Sequence, residues 1–196
     1  MFQKLTIFFI LIFLVSGCQK IYVAGASKAL LVDKQERAFV DYIEDTIILA
    51  QLKNSYFNEN EKIFFFVGVE VSEGVVLLTG SVDQTDQRIE ATKLAWGIEG
   101  VKKVINEIQI SNDEDILDYA DDLIMKTKIN AKLLLNKEVL NLNYSVEVVN
   151  GIVYLIGIAQ NEKELSLVIE ICDQTYGVQD VISYVRLKGD LADKNL

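Results

Sequence analysis

The side chains able to do covalent or acid-base chemistry in this chain are two cysteines, 29 carboxylates, 19 lysines and arginines, and eight tyrosines, with no histidine. Without histidine there is no Ser-His-Asp or Cys-His nucleophile, and the commonest zinc ligand is missing as well. The remaining carboxylate, lysine, tyrosine and cysteine side chains are nowhere arranged as a nucleophile beside a base. The sequence therefore predicts a protein that is not an enzyme, with no cofactor, no metal and no small-molecule substrate. The two thiols stand in different settings. Cys172 lies in an apolar helical pattern and reads as a small buried hydrophobe, with an exposed redox thiol as the alternative. Cys18 ends an apolar leader, so a disulfide between the two is not expected.

The leader explains what Cys18 could do. Residues 1–17 begin with Met1-Phe2-Gln3-Lys4, run apolar from Leu5 to Val15 and finish with Ser16-Gly17. A positive start, a short apolar run and small residues before a cleavage point make a secretory signal peptide, too short for a comfortable span. Leu14-Val15-Ser16-Gly17-Cys18 resembles the bacterial lipoprotein box, whose cysteine is acylated, palmitate included, and becomes the new amino terminus. A plain cleaved signal and an uncleaved anchor are the alternatives. Several acyl chains, at about 0.8 kcal/mol per buried CH₂, give an attachment that one chain alone does not. In such lipoproteins an Asp after the cysteine favours retention at the inner membrane. Gln19 stands there, and the resemblance implies a lipid anchor on the periplasmic face of the outer membrane.

The elements behind the leader occur twice. Val69-Glu70-Val71-Ser72-Glu73-Gly74-Val75-Val76-Leu77-Leu78-Thr79-Gly80 returns 77 positions later, without a gap, as Val146-Glu147-Val148-Val149-Asn150-Gly151-Ile152-Val153-Tyr154-Leu155-Ile156-Gly157. Asn150-Gly151 between two alternating apolar runs signals a two-residue type I′ turn, and Glu73-Gly74 takes its place in the first copy. That register puts Val69, Val71, Val76, Leu78 and Gly80 on one face, with Val146, Val148, Val153, Leu155 and Gly157 as their twins. The shared face is expected against helices. The apolar outer-face residues Val75, Leu77, Ile152, Tyr154 and Ile156 suggest that the copies pack on each other.

Helical spacing over Ala29 to Phe57 places Phe39, Tyr42, Ile43, Thr46, Ile47 and Ala50 close to one face, with a break near Asp45. Asp45 and its twin Asp122 read as amino-terminal caps. Second helices are predicted over Asp83 to Glu99, with Ala91, Ala95 and Ile98 inward, and over Asn161 to Tyr176, with Leu165, Val168, Ile169, Cys172 and Tyr176 inward. Asn161 with Glu164 forms a capping-box-like start. Gly100 and Gly177 close these helices, and a strand follows each, parallel to the second strand by the right-handed crossover rule. The fold class is thus α+β, two tandem αββαβ modules, each a three-stranded mixed sheet covered by two helices. The division reads 1–17 signal peptide, 18–44 tether and helical lead-in, 45–110 first module, 111–121 acidic linker, 122–187 second module and 188–196 tail. The linker carries Asp113, Glu114, Asp115, Asp118 and Asp121 without a base, a solvated run rather than a cation site.

Val71 to Gly80 with Gly100-Val101 and Val104-Ile105, doubled as Val148 to Gly157 with Gly177-Val178 and Val181-Ile182, resembles the BON domain. Paired behind a lipoprotein box, the chain is similar to dual BON-domain outer-membrane lipoproteins that support envelope integrity. That resemblance implies no catalysis and a role in binding anionic membrane phospholipid, through the first helix of the second module. Ile124, Lys126, Lys128 and Lys132 are the positions it marks, a mixture of basic and apolar residues that suits an anionic interface. The other readings of that helix are an ordinary amphipathic one with wet lysines and, for the whole chain, an adaptor for outer-membrane or peptidoglycan-associated proteins or a periplasmic chaperone. No nucleic-acid partner is implied. Trp96 reads as partly buried packing.

Overall fold

A computed structural model describes residues 29–111 and 116–189, with side chains at 42–111 and 119–189. The leader, Cys18, the tether up to Lys28, residues 112–115 of the linker and the end of the tail lie outside the described residues. Contacts below concern the compact unit Ala38–Leu196; of the preceding unit, Met1–Arg37, only the first turns of one helix are described.

The first module is built from α1 (Ala29–Glu59), α2 (Glu61–Phe66), β1 (Val67–Ser72), β2 (Val75–Val82), α3 (Thr85–Trp96), β3 (Lys103–Asn106) and β4 (Gln109–Ile110). The second has α4 (Ile116–Leu135), a 3₁₀ turn at Asn141–Asn143, β5 (Tyr144–Val149), β6 (Ile152–Ala159), α5 (Glu162–Asp173) and β7 (Asp180–Leu187). The αββαβ plan holds in both. Asn60 separates α1 from α2, its side chain accepting from the amides of Lys62 and Ile63.

Both hairpins have the expected register. Ser72 faces Val75 and Val71 faces Val76; Val149 faces Ile152 and Val148 faces Val153. The turn residues Glu73 and Gly74 have φ of 52° and 78°, and Asn150 and Gly151 51° and 74°, as a type I′ turn requires. The last strands, β3 and β7, pair parallel to β2 and β6, giving two mixed sheets. β7 is continuous, whereas the first module breaks its last strand at Glu107-Ile108 and resumes as β4 against the end of β2.

The shared face is buried under the helices. Ile48, Leu52 and Tyr56 of α1 cover Val69, Val76 and Leu78, and their repeat equivalents Met125, Ile129 and Leu133 of α4 cover Val146, Val153 and Leu155. Four-residue spacing makes each trio one helical stripe. The face expected for α1 was misplaced: Tyr42, Ile43 and Ile47 are exposed, because Ile48, Leu52 and Tyr56 occupy the core. Ala91, Ala95, Val168 and Cys172 point inward as expected, but Tyr176 is exposed beyond the end of α5. Trp96 is 54% exposed rather than packed.

Asp45 and Asp122 are not caps. α1 runs unbroken past Asp45, and α4 begins at Ile116, ahead of Asp122. Both carboxylates instead reach the hairpin turn of their own module, for which a free amide pair at a turn is as good a target as one at a helix start. Asn161 does cap α5, accepting from Glu164 N at 3.0 Å. The return bond of a capping box is absent, since the Glu164 carboxylate accepts from Gln160 N and Leu140 N, each at 2.7 Å.

The outer faces meet in a third apolar cluster. Leu77 lies with Val149, Tyr154 and Ile156, flanked by Val75, Ile105, Ile152, Ile182 and Tyr184. All five outer-face residues that suggested packing are in it. The polar contacts along this seam obey a two-fold relation. Glu107 meets Tyr184, its own equivalent 77 positions on. The ion pair of Glu73 with Arg186 is mirrored by Asn150 Nδ2 donating to Gln109 Oε1 at 2.7 Å, the same two repeat positions exchanged. The domains thus pack as the two halves of an isologous dimer do, within one chain.

Candidate functional site

α4 is held to its module at three points. At the start, Asp122, 8% exposed, accepts from Asn150 N at 2.6 Å and from Gly151 N at 2.9 Å. In the middle, Lys126 Nζ lies 2.5 Å from the Glu147 carboxylate on β5. Towards the end, Lys132 donates to the hydroxyl of Thr175 at 2.8 Å. Gly177 lets the helix sit close, because a side-chain carbon there would come within 2.8 Å of the Met125 sulfur.

With Met125, Ile129 and Leu133 turned inward, the helical repeat carries Ile124, Ala131 and Leu135 to the opposite side. Leu123, Ile124, Leu134 and Leu135 are exposed at 52%, 50%, 66% and 80%. Leu140 and Leu142 continue this apolar exposure into the turn behind the helix. Lys128 is exposed one turn from Ile124 and one turn from Lys132. An apolar helical face with bases on its flank can lie on a membrane surface, the apolar side chains in the acyl boundary and the ammonium groups at the phosphates.

The four residues marked from the sequence therefore fall into two groups. Ile124 and Lys128 share the outward side, and Lys132 sits on its edge with one donor already engaged. Lys126 is partly buried and committed to Glu147, so its first role is to pin the helix. Leu134 and Leu135 are the more exposed apolar residues, and Leu133, adjacent in sequence, belongs to the core. Helical phase counted from Asp122 separates them, once Asp122 is known to face inward.

Cys172 is fully buried, and burial pushes its thiol up to about 12, so the redox alternative falls. Among the described residues no cluster of carboxylates or cysteine could hold a metal ion, and no helix is long and apolar enough to cross a membrane.

The sequence comparisons agree with this architecture. The chain is 44% identical over 147 residues, 74% of its length, to a protein described as uncharacterized, in the gshII 5′ region of Anaplasma centrale, of which it covers 96%. It is 26% identical over 159 residues to osmotically-inducible protein Y of Escherichia coli strain K12, covering 80% of this chain and 79% of that one. It is also 26% identical over 181 residues to outer membrane lipoprotein DolP of Haemophilus influenzae, covering 92% of this chain and 93% of the relative. The BON domain model matches twice, over residues 44–112 and 121–189, each match beginning within the first covering helix and holding one hairpin, the second helix and the parallel strand. On that double match, the chain belongs to the BON-domain family.

Proposed function

We propose that this protein is a non-enzymatic lipoprotein of the cell envelope, anchored through Cys18 to the periplasmic face of the outer membrane, which binds anionic phospholipid with the outward side of α4 and supports outer-membrane integrity. The observation that carries the binding site is the exposure of Ile124, Leu134 and Leu135 beside Lys128 on a helix whose other side is fully committed to the core. A helix with spare apolar residues on both sides has a use for the second. The anchor rests on the leader and on similarity to a relative named an outer membrane lipoprotein.

Net charge opposes this binding at long range, since the chain carries −10 overall. Between the repeats, residues 45–110 sum to −4 and residues 122–187 to −2, so the second module is the less repelled. Local contact must therefore supply the affinity. Flotation of the unlipidated protein with vesicles tests it: association with anionic vesicles and less with neutral ones is expected. Equal association with both, or with neither, removes the anionic-lipid reading.

A protein-binding adaptor is the second reading. Phe57, Phe65 and Phe66 of the first module are exposed, and Phe64 lies edge-on between Phe57 and Phe65 at 5.2 Å from each ring. Such aromatic exposure is typical of protein contacts. Crosslinking in cells from both modules separates the readings by what is captured at each.

A further inference from the structure

The outward surfaces of the two modules repeat as well as their cores do. Ile47 and Ile124, 77 positions apart, are each 50% exposed, and Tyr42 and Tyr119 are 70% and 72% exposed. Phe57 and Leu134 form a third exposed pair of equivalents, and Phe65 and Leu142 a fourth. On each covering helix the isoleucine and the Phe57 or Leu134 position lie on the side turned away from the buried stripe. A buried position stays apolar in both copies because the core demands it. An exposed one carries no such demand, so large apolar side chains at matching surface positions mark a face with a use in each module. The fold sends these faces in opposite directions. Each sheet has its helices on one side, over Val76 and Leu78 or over Val153 and Leu155, and its other side joins the seam around Leu77 and Tyr154. The order through the molecule is therefore helices, sheet, sheet, helices, with one outward face at either end.

Their charges are opposite too. Among the described side chains of α1 and α2, the exposed charges are Glu44, Glu59, Glu61 and Lys62, and Lys62 is paired with Asp83 at 2.7 Å. Lys53 is half-buried, with its ammonium donating to Val67 O at 3.0 Å. In α4 and the turn behind it, Lys128, Lys132 and Lys137 are exposed, at positions where the first module has Gln51, Ser55 and Asn60. Asp121 and Glu138 are the exposed acids there, and Glu138 is taken by Lys163. The aromatic face is thus rimmed by acid and the aliphatic face by base.

We propose that the outward face of the first module binds the outward side of α4 in a second copy of this chain, apolar against apolar and acid against base, so that the protein associates head to tail. A two-fold contact would set Glu59 and Glu61 against their own copies, or Lys128 and Lys132 against theirs, and like charges disfavour it. Joining unlike faces leaves one face free at each end, so association adds copies stepwise instead of stopping at two. The contact uses neither the anchor at Cys18 nor lipid. It stands apart from the membrane reading of α4, with which it competes for the same side chains.

Sedimentation velocity of the unlipidated protein, without vesicles and between about 1 μM and 1 mM, reads the association directly. The weight-average mass should rise past that of a dimer with concentration and fall back as salt is raised. Phe57→Ser with Phe65→Ser, and separately Ile124→Ser with Leu135→Ser, should each weaken association by at least about tenfold with the circular dichroism unchanged, since all four side chains are exposed. Mixed one to one, each variant keeps the face that the other has lost, and the pair should form a heterodimer and stop there. Charge reversal repeats the scheme without touching the apolar residues: Glu59→Lys with Glu61→Lys, and Lys128→Glu with Lys137→Glu, should each associate less than the wild type, and their mixture should recover its mass. A monomer at every concentration overturns the proposal, whether vesicles or another protein then occupy the Phe57 and Phe65 face. A dimer that survives either serine pair, or serine variants that fail to pair when mixed, overturns it as well.

Discussion

Asp122 and Gly151 are 29 residues apart in sequence, yet the carboxylate of one accepts the amide of the other at 2.9 Å, while its second oxygen takes Asn150 N at 2.6 Å. Asp45 makes the same pair of bonds to Glu73 and Gly74 at 2.7 and 2.8 Å. A type I′ turn leaves its two central amides pointing away from the ladder, and one carboxylate on the covering helix satisfies both. The bond therefore fixes the rotation of the helix about its axis as well as its height over the sheet. In the second module, that rotation decides which residues of α4 are left outside.

Removing this carboxylate should be expensive. Hydrogen bonds to charged groups contribute about 1.5–3 kcal/mol each, and Asp122→Ala loses two at a site 8% exposed. A loss of about 3 kcal/mol is expected from the denaturant midpoint of the second module. Asp122→Asn keeps one acceptor and should recover part of it. Asp45 is more open to water, so Asp45→Ala should cost less.

Much of this fold was legible because the chain states it twice. The turn pairs, the alternation of Val69 to Leu78 and the parallel last strand follow from local pattern and chirality alone. The helix faces were harder. Tyr42, Ile43 and Ile47 are as apolar as Ile48, Leu52 and Tyr56, and the repeat offset carries the first trio onto Tyr119, Ala120 and Ile124 and the second onto Met125, Ile129 and Leu133, apolar in both cases, so only the packing separates core from surface. The same offset maps Asp45 onto Asp122. For these aspartates nothing local distinguishes a helix-start amide from a turn amide distant in sequence.

Gly80 and Gly157 should tolerate no side chain. At φ of 103° and 145°, a Cβ would come within 2.0 Å of Phe66 O and Asn143 O, backbone atoms that cannot rotate aside. Backbone strain of about 1–3 kcal/mol adds to overpacking of similar size. Gly80→Ala and Gly157→Ala are each expected to lower the melting temperature severely or abolish soluble folded protein, as circular dichroism would read.

The seam makes a different demand. Leu77 is 1% exposed although it faces away from the core of its own module. Leu77→Ala should cost about 2–5 kcal/mol, the range for a buried leucine, and Leu77→Asp should go further by placing a charge among Val149, Tyr154 and Ile156. Each module keeps its own helix-covered core, so the Asp variant is expected to unfold in two steps with separable midpoints. A single cooperative transition at a lower midpoint would mean that neither module stands without the other.

Lipid binding by α4 can be separated from its structural duties residue by residue. Lys128 is exposed and Lys126 is tied to Glu147, so the two lysines predict opposite phenotypes despite their proximity. Near an anionic surface a base contributes about 1 kcal/mol, and Lys128→Gln should weaken partitioning onto anionic vesicles by roughly fivefold. Its melting temperature should stay nearly unchanged, since exposed charges contribute little to folding. Lys126→Gln should instead lower stability by leaving Glu147 without its ion pair. The apolar side carries the larger share: Ile124→Ser with Leu135→Ser removes two side chains from the acyl boundary while touching none of the buried stripe. At roughly 1.5–3 kcal/mol for fully burying each, partitioning should fall by at least tenfold on neutral and anionic vesicles alike, whereas Lys128→Gln acts only on the anionic ones. Lys103, exposed on β3, is the control. If Lys103→Gln weakens binding as much as Lys128→Gln, net charge rather than this helix governs association, and the outward side of α4 is not the lipid site.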